Sequence, residues 1–337
     1  MKPGAMIVGC GCRLGQPFDD RMDVVIRQAV LTALDESGMS IQDIDSVVTV
    51  AGDTLDGLMV ASGAEVAGSY GRRYMNVPSS AGHGLAAAAT QIESQGAENV
   101  LLVGWGAATR YGGFDPRRNQ ADPFHARPIG ASPAVVAALQ ANELGVLSGL
   151  DETALRAYVQ EMSMRAWGKA AAAGASAVPD WARTGFCDGV AAIVLRPASD
   201  ARRGVRVRDF ASVSRGYSPE DDSLDPAKWV GEAVSALSGA CARKDTYAVV
   251  EAAAPTPIAE IRALSPFGFK SMAQKEFNPS GGGAAAHFGQ ATALYGVAET
   301  SRRLVAGGKG AQGLVVDLTG PLGQHVTAIS LQAEVAQ

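Results

Sequence analysis

The sequence has no apolar run long enough to span a bilayer, no excess of basic charge and no dense set of cysteines, and each shortage closes off a class of function. Hydrophobic residues make up 47% of the chain, yet they are dispersed, so no membrane-spanning helix is expected. The N-terminus MKPGAMIVGCG does not follow the signal-peptide pattern, and a cytoplasmic location is the expectation. A formal net charge of -5 offers no electrostatic footprint for phosphate backbones, and aromatics at 6% are not interleaved with Arg or Lys, so nucleic acid is not an expected partner. The four cysteines, Cys10, Cys12, Cys187 and Cys241, lack CxxC spacing. They read as reduced thiols, and no metal site is expected.

What is present is an alternation of strand and helix patterns. AMIVGCG reads as a strand, and DVVIRQAVLTALDESG carries apolar residues at helical spacing and stops at Gly38. In SIQDIDSVVTVAG, Ser40 and Asp43 have the spacing of a capping box ahead of a buried strand. LAAAATQIESQG reads as a helix ending at Gly96, followed by the apolar strand ENVLLVGWG. This order implies a parallel sheet. The second half repeats it: GVRVRDFASVS, the helical DPAKWVGEAVSALSGACA, the strand TYAVVEAAA, a Gly/Ala-rich loop entering a helix, and AQGLVVDLTG. Two halves with one element order suggest a duplicated α/β unit with a site where the halves meet, since open sheets bind ligands beyond the carboxyl ends of their strands. Between them, about Tyr111 to Asp180, lies a different region with two helical patterns, expected to be a lid-like insertion. The run TGFCDGVAAIVLRP returns to strand and is expected to rejoin the first half. The resulting division is 1–110 plus 181–198, an insertion over 111–180, and 199–337.

VPSSAGHGLAAAATQ places Ser79, Ser80 and His83 at the mouth of the Ala-rich helix. A serine there either caps the helix or stands where the unpaired N–H groups stabilise a reacting oxygen. GCGCRLG misses the GxGxxG spacing of dinucleotide sites, so NAD is set aside. Cys187 ahead of DGVAA reads as core rather than nucleophile.

The segments SIQDIDSVV, AAATQIESQGAENVLLVGWG, CDGVAAIVL, IAEIRALSPFG and NPSGGGAAAH occur in an order that resembles the thiolase superfamily, and within it the sterol-carrier-protein type. The resemblance covers nearly the whole chain. It implies an α/β, five-layered α-β-α-β-α fold of two halves with a loop-domain insertion, acting on acyl-CoA thioesters, with coenzyme A as part of the substrate and no resident cofactor. The family's nucleophilic cysteine falls on Ser79, its asparagine or histidine of the NEAF-like or HDAF-like motif on Ala253, and the histidine of its GHP motif on His287. Its second cysteine falls on Thr319, with Pro321 in the place of a glycine whose N–H serves an oxyanion hole. A serine needs a base where a cysteine is already thiolate, and His287 is the candidate. Proline has no N–H to give, and a slip of the alignment around 319 to 325 offers Gly323 as the donor instead.

His83 and His325 lie in segments that the family directs at its site; each reads either as a carbonyl-polarising donor or as a loop histidine bonded to backbone. Arg117, Arg118, Arg127, Arg165 and Lys169 in the insertion are candidates for the phosphates of CoA, or a solvated face. Three functional readings stay open: altered acyl transfer or hydrolysis with His287 and Ser79, a silent subunit paired with a thiolase-like or OB-fold partner, and retro-aldol cleavage. The last calls for a tyrosine where the sequence has Gln290. The family also implies a homodimer.

Overall fold

Met22, Val25, Ile26, Ala29, Val30, Ala33 and Leu34 recur every three or four residues, and they form the buried stripe of helix α1 (Met22–Ser37). Gly38 ends it with φ 68°, a left-handed conformation that leaves its N–H bonded to the carbonyls of Asp35 and Leu34. The computed structural model describes residues 4–52, 58–111, 123–124, 128–130, 133–169, 184–200, 203–215, 224–238, 246–271, 273–320 and 322–335.

The first half contributes β1 (Ala5–Gly15), α1, β2 (Ser46–Val50), α2 (Val60–Val66), β3 (Arg73–Asn76), α3 (Ala81–Glu93) and β4 (Val100–Ala107). The insertion holds α4 (Pro133–Ser148) and α5 (Glu152–Trp167). β5 (Asp188–Pro197) then runs between β4 and β1, as TGFCDGVAAIVLRP suggested. The second half follows with β6 (Arg203–Ser214), α6 (Pro226–Ser235), β7 (Tyr247–Ala253), α7 (Pro257–Leu264), the short α8 (Gly282–Ala285), α9 (Thr292–Gly307), β8 (Gln312–Thr319) and β9 (His325–Val335).

The strands join in the order β3-β2-β4-β5-β1-β6-β9-β8-β7. The sheet is mixed rather than parallel: β2 runs parallel to β3 and β4, and β7 to β8, but β5 is antiparallel to both β4 and β1, and β9 to both β6 and β8. Where the halves meet edge to edge, β1 pairs with β6 through Met6 with Arg206 and Ile7 with Val205.

Side-chain alternation divides the core into layers. Leu101, Val103 and Trp105 of β4 and Val190, Ala192 and Val194 of β5 face outward onto α1. Val100 and Leu102, with Ala191, Ile193 and Leu195, face inward onto α3 and α9. In the second half Leu314, Val316 and Leu318 of β8 face outward onto α6 and α7, while Val315 faces inward. Helices α3 and α9 therefore lie between two strand layers, each covered outside by helices. This is the five-layered arrangement. α3 ends at Glu93, short of Gly96, with Ser94 as its cap.

Candidate functional site

Alternation along β8 puts Asp317 on the inner face, one strand step beyond Val315 and against the start of α3. A single acid in an apolar strand end is unexpected, because a buried carboxylate needs partners. Its partners are the orphan N–H groups of the helix: Gly82 N donates to Asp317 Oδ2 at 3.1 Å, with Ala81 N and the Ser80 hydroxyl also favouring the ionised form. Burial dominates and pushes the Asp317 carboxyl up to about 7. Gly82 is required for this approach, because a Cβ there would lie 1.9 Å from Thr327 Oγ1.

Ser80, not Ser79, is the cap of α3. Its Oγ accepts from His83 N at 3.1 Å and lies 2.8 Å from His83 Nδ1, and the residue is 1% exposed. Ser79 is exposed and stands one residue ahead of the cap. His83 lies in the first turn of the helix rather than in a loop, with its Nε2 3.2 Å from Ser212 Oγ and its ring edge-on to Phe210 at 5.6 Å. His325 is the first residue of β9, paired with Ser214, whose Oγ is 3.1 Å from His325 Nδ1. Burial lowers both imidazoles, and His325 lowers His83 further, so the two rings are within electrostatic reach of each other.

The two serines reach this place because of a bulge. Val205 and Val207 of β6 pack in the inner core, but the register shifts between Val207 and Asp209, after which Ala211 packs in the outer core. Phe210, Ser212 and Ser214 thus take the inward positions. Asp317, Thr327, His325, Ser212 and Ser214 make one polar patch on the inner face of the second half, opposite the mouth of α3.

His287 is held by a separate set of contacts. Its N–H donates to Gly185 O at 2.9 Å, its carbonyl accepts from Cys187 N at 3.0 Å, and its ring is edge-on to Phe186 at 5.5 Å. These bonds stitch the second half's glycine loop to the residues just ahead of β5 in the first half. Gly289 N donates to His287 Nδ1 at 3.2 Å, so in the neutral ring the proton sits on Nε2. Cys187 is fully buried and its thiol is pushed well up, consistent with core.

Behind that loop lie two buried acids. Glu251 accepts from Ser280 N at 2.8 Å and pairs with Ser280 Oγ at 2.7 Å; Glu260 receives Tyr158 OH at 2.6 Å and Ala284 N at 3.0 Å. Burial raises both to about 8. Asn278 accepts from Ala252 N at 2.7 Å and donates to Ala252 O and Tyr158 OH, so NPSGGG is a braced turn. A small cavity of about 10 Å³, the room of one water, lies next to it beside Glu251, Ala253, Thr292 and Tyr295.

Other expected residues fare differently. Gly323 is buried at φ 71° and its N–H is already donated to Gly320 O at 3.0 Å, so it is not the oxyanion donor the slipped alignment offered. Ala253 ends β7, and Thr319 ends β8 opposite His325. Arg165 turns inward, bonded to Glu161 and to the carbonyls of Phe277 and Asn278, where it braces the glycine loop; Lys169 is exposed. Arg117, Arg118, Arg127, His125 and Pro321 lie outside the described residues. Among the described residues no cluster of His, Cys, Asp and Glu has the geometry of a metal site, and no helix is long and apolar enough to cross a membrane.

No protein-family model matches the sequence, and no curated protein matches it. Solved structures do match in fold. The Ltp2-ChsH2(DUF35) aldolase is 18% identical, with 98% of this chain and 98% of that one covered and a TM-score of 0.74. A monomeric SCP2-thiolase-like protein type 1 from Mycobacterium smegmatis is 16% identical over 98% of this chain and 78% of that one, TM-score 0.75. The Acat5 thiolase from Ascaris suum in complex with coenzyme A is 15% identical over 98% and 100%, TM-score 0.70.

Proposed function

We propose that this protein, which has the thiolase fold from end to end, binds an acyl-CoA-type thioester where its halves meet and transfers the acyl group to water or another acceptor. The reading is supported above all by the full-length match to a fold in which a thiolase holds coenzyme A. Acid–base work falls to His287, from the glycine loop, and to His83, with His325 beside it. The two lowered imidazoles are neutral-pH proton acceptors in this scheme, while His287, whose Nδ1 accepts from Gly289 N, presents Nε2–H as a donor. A proton leaves the attacking group as its bond to the carbonyl carbon forms. It is then given to the departing thiolate as the carbon–sulfur bond breaks.

Ser79 is not the acyl carrier in this reading. A nucleophile at a helix mouth draws on the positive end of the dipole, and here Asp317 already occupies that mouth. The same replacement, together with Ala253, also favours the rival idea of a silent subunit, and the aldolase neighbour is named as a two-component assembly. One assay separates the two. Release of free CoA thiol from acetyl- to decanoyl-CoA, followed with a thiol reagent, is expected for the wild type, with a loss of at least about 10²-fold in His287→Ala. Ser79→Ala is expected to turn over within about threefold of wild type, which is about 0.7 kcal/mol in barrier. Abolition by Ser79→Ala, or no thiol release from any chain length, overturns the proposal.

A further inference from the structure

We propose that Ser212 is a nucleophilic serine, activated by His83 through a relay of hydrogen bonds that ends on Asp317. The bulge in β6 turns Ser212 to the inner face, where its Oγ lies 3.2 Å from His83 Nε2, and Ser212 itself is exposed to an incoming acyl group. Ser80, the other serine on this imidazole, is 1% exposed and closed to one.

Counting protons gives the relay a direction. Ser80 Oγ accepts the backbone N–H of His83, and its single hydrogen favours the ionised Asp317. The hydroxyl oxygen is then left to accept His83 Nδ1–H over 2.8 Å. That tautomer puts the open lone pair on Nε2, facing the Ser212 hydroxyl. With Asp317 protonated, Ser80 no longer needs to donate to it, and the tautomer is released. Phe210, edge-on at 5.6 Å, holds the ring in place. Nucleophile, base and orienting group are thus connected in the sense that serine chemistry requires.

The step itself balances. Ser212 Oγ attacks the carbonyl carbon of an acyl thioester or activated ester while His83 takes its proton; the bond to the leaving group breaks, and the leaving thiolate or alkoxide takes that proton from His83. Water then attacks the serine ester, His83 accepts the water's proton, and the proton returns to Ser212 as the acid departs.

The inference names the acceptor atom of the thioester site and rests on that reading only for the natural substrate. The test therefore uses probes without CoA: an alkyl fluorophosphonate with peptide mapping, and hydrolysis of p-nitrophenyl acetate, on the full chain. The expected adduct is on Ser212, absent in Ser212→Ala, and slowed about 10²-fold or more in His83→Gln. Ser80→Ala is expected to slow it less, with the wild-type melting curve used to confirm folding of each variant. An adduct mapped elsewhere, no adduct, or wild-type labelling in a folded His83→Gln protein overturns the inference. Labelling of Ser212 without release of CoA thiol overturns the thioester reading alone.

Discussion

Replacing Glu251 by Gln is expected to stabilise this protein at neutral pH, although it removes a fully buried group with two good hydrogen bonds. Glu251 is 2% exposed on the inner face of β7, and burial pushes it from 4.5 to about 8. The folded chain therefore keeps a proton that the unfolded chain releases, and stability falls as pH rises from about 4.5 to about 8, then levels. At about 1.4 kcal/mol per pKa unit, the loss reaches about 3 kcal/mol by pH 7 and about 4 kcal/mol by pH 8. Glutamine is neutral at every pH and reproduces the protonated acid: its Oε1 accepts Ser280 N–H and its Nε2 donates to Ser280 Oγ. Urea unfolding followed by tryptophan fluorescence is expected to give equal stabilities for wild type and Glu251→Gln near pH 4.5, and a variant more stable by about 3 kcal/mol at pH 7. Glu251 is among the causes that raise Glu260, so the variant's own pH slope is expected to be shallower too. A variant no more stable than wild type at pH 7 refutes the reasoning, because it requires an ionised Glu251 compensated in the folded state.

Three other outcomes are expected. Gly82→Ala forces a Cβ to within 1.9 Å of Thr327 Oγ1 and 2.7 Å of its Cβ, and is expected to lower stability by about 2–4 kcal/mol in a thermal melt, by overpacking between α3 and β9. Thr327→Val keeps the shape and removes a buried hydroxyl with no hydrogen-bond partner among the described residues, so its melting point is expected to rise, by about 1 kcal/mol in stability. Fluorophosphonate labelling of Ser212 is expected to increase as pH rises through about 7, where Asp317 ionises; both neighbouring imidazoles are lowered from 6.5 and are neutral there. A rate flat from pH 6 to pH 8 removes Asp317 from the relay.

How far the sequence revealed the molecule depends on where each feature is encoded. Helix α1 was readable because its apolar spacing and Gly38 lie within one stretch, and β5 was placed correctly because an apolar run after an insertion has few other sheets to join. Strand polarity was not readable. The antiparallel pairing of β5 with β1 and β4 is a property of the connections, and the alternation of side chains is the same in either direction. Which of Ser79 and Ser80 caps α3 was not readable, because the two have equal propensity and only the backbone turn distinguishes them.

Asp317 carried a signal that passed unused: an acid at the end of GLVVDL must be partnered, and helix mouths are the usual place. Ser212 carried none. Its inward aim depends on one extra residue in β6, which reverses the face of everything after it.

The most direct test of an acyl-thioester site between the halves is a crystal structure with a non-hydrolysable thioether analogue of an acyl-CoA. The carbonyl oxygen or sulfur is expected within hydrogen-bond reach of His83 or His287, with the acyl carbon near Ser212. An analogue bound away from the mouth of α3 and the glycine loop, or no binding at millimolar concentration in calorimetry, contradicts the account.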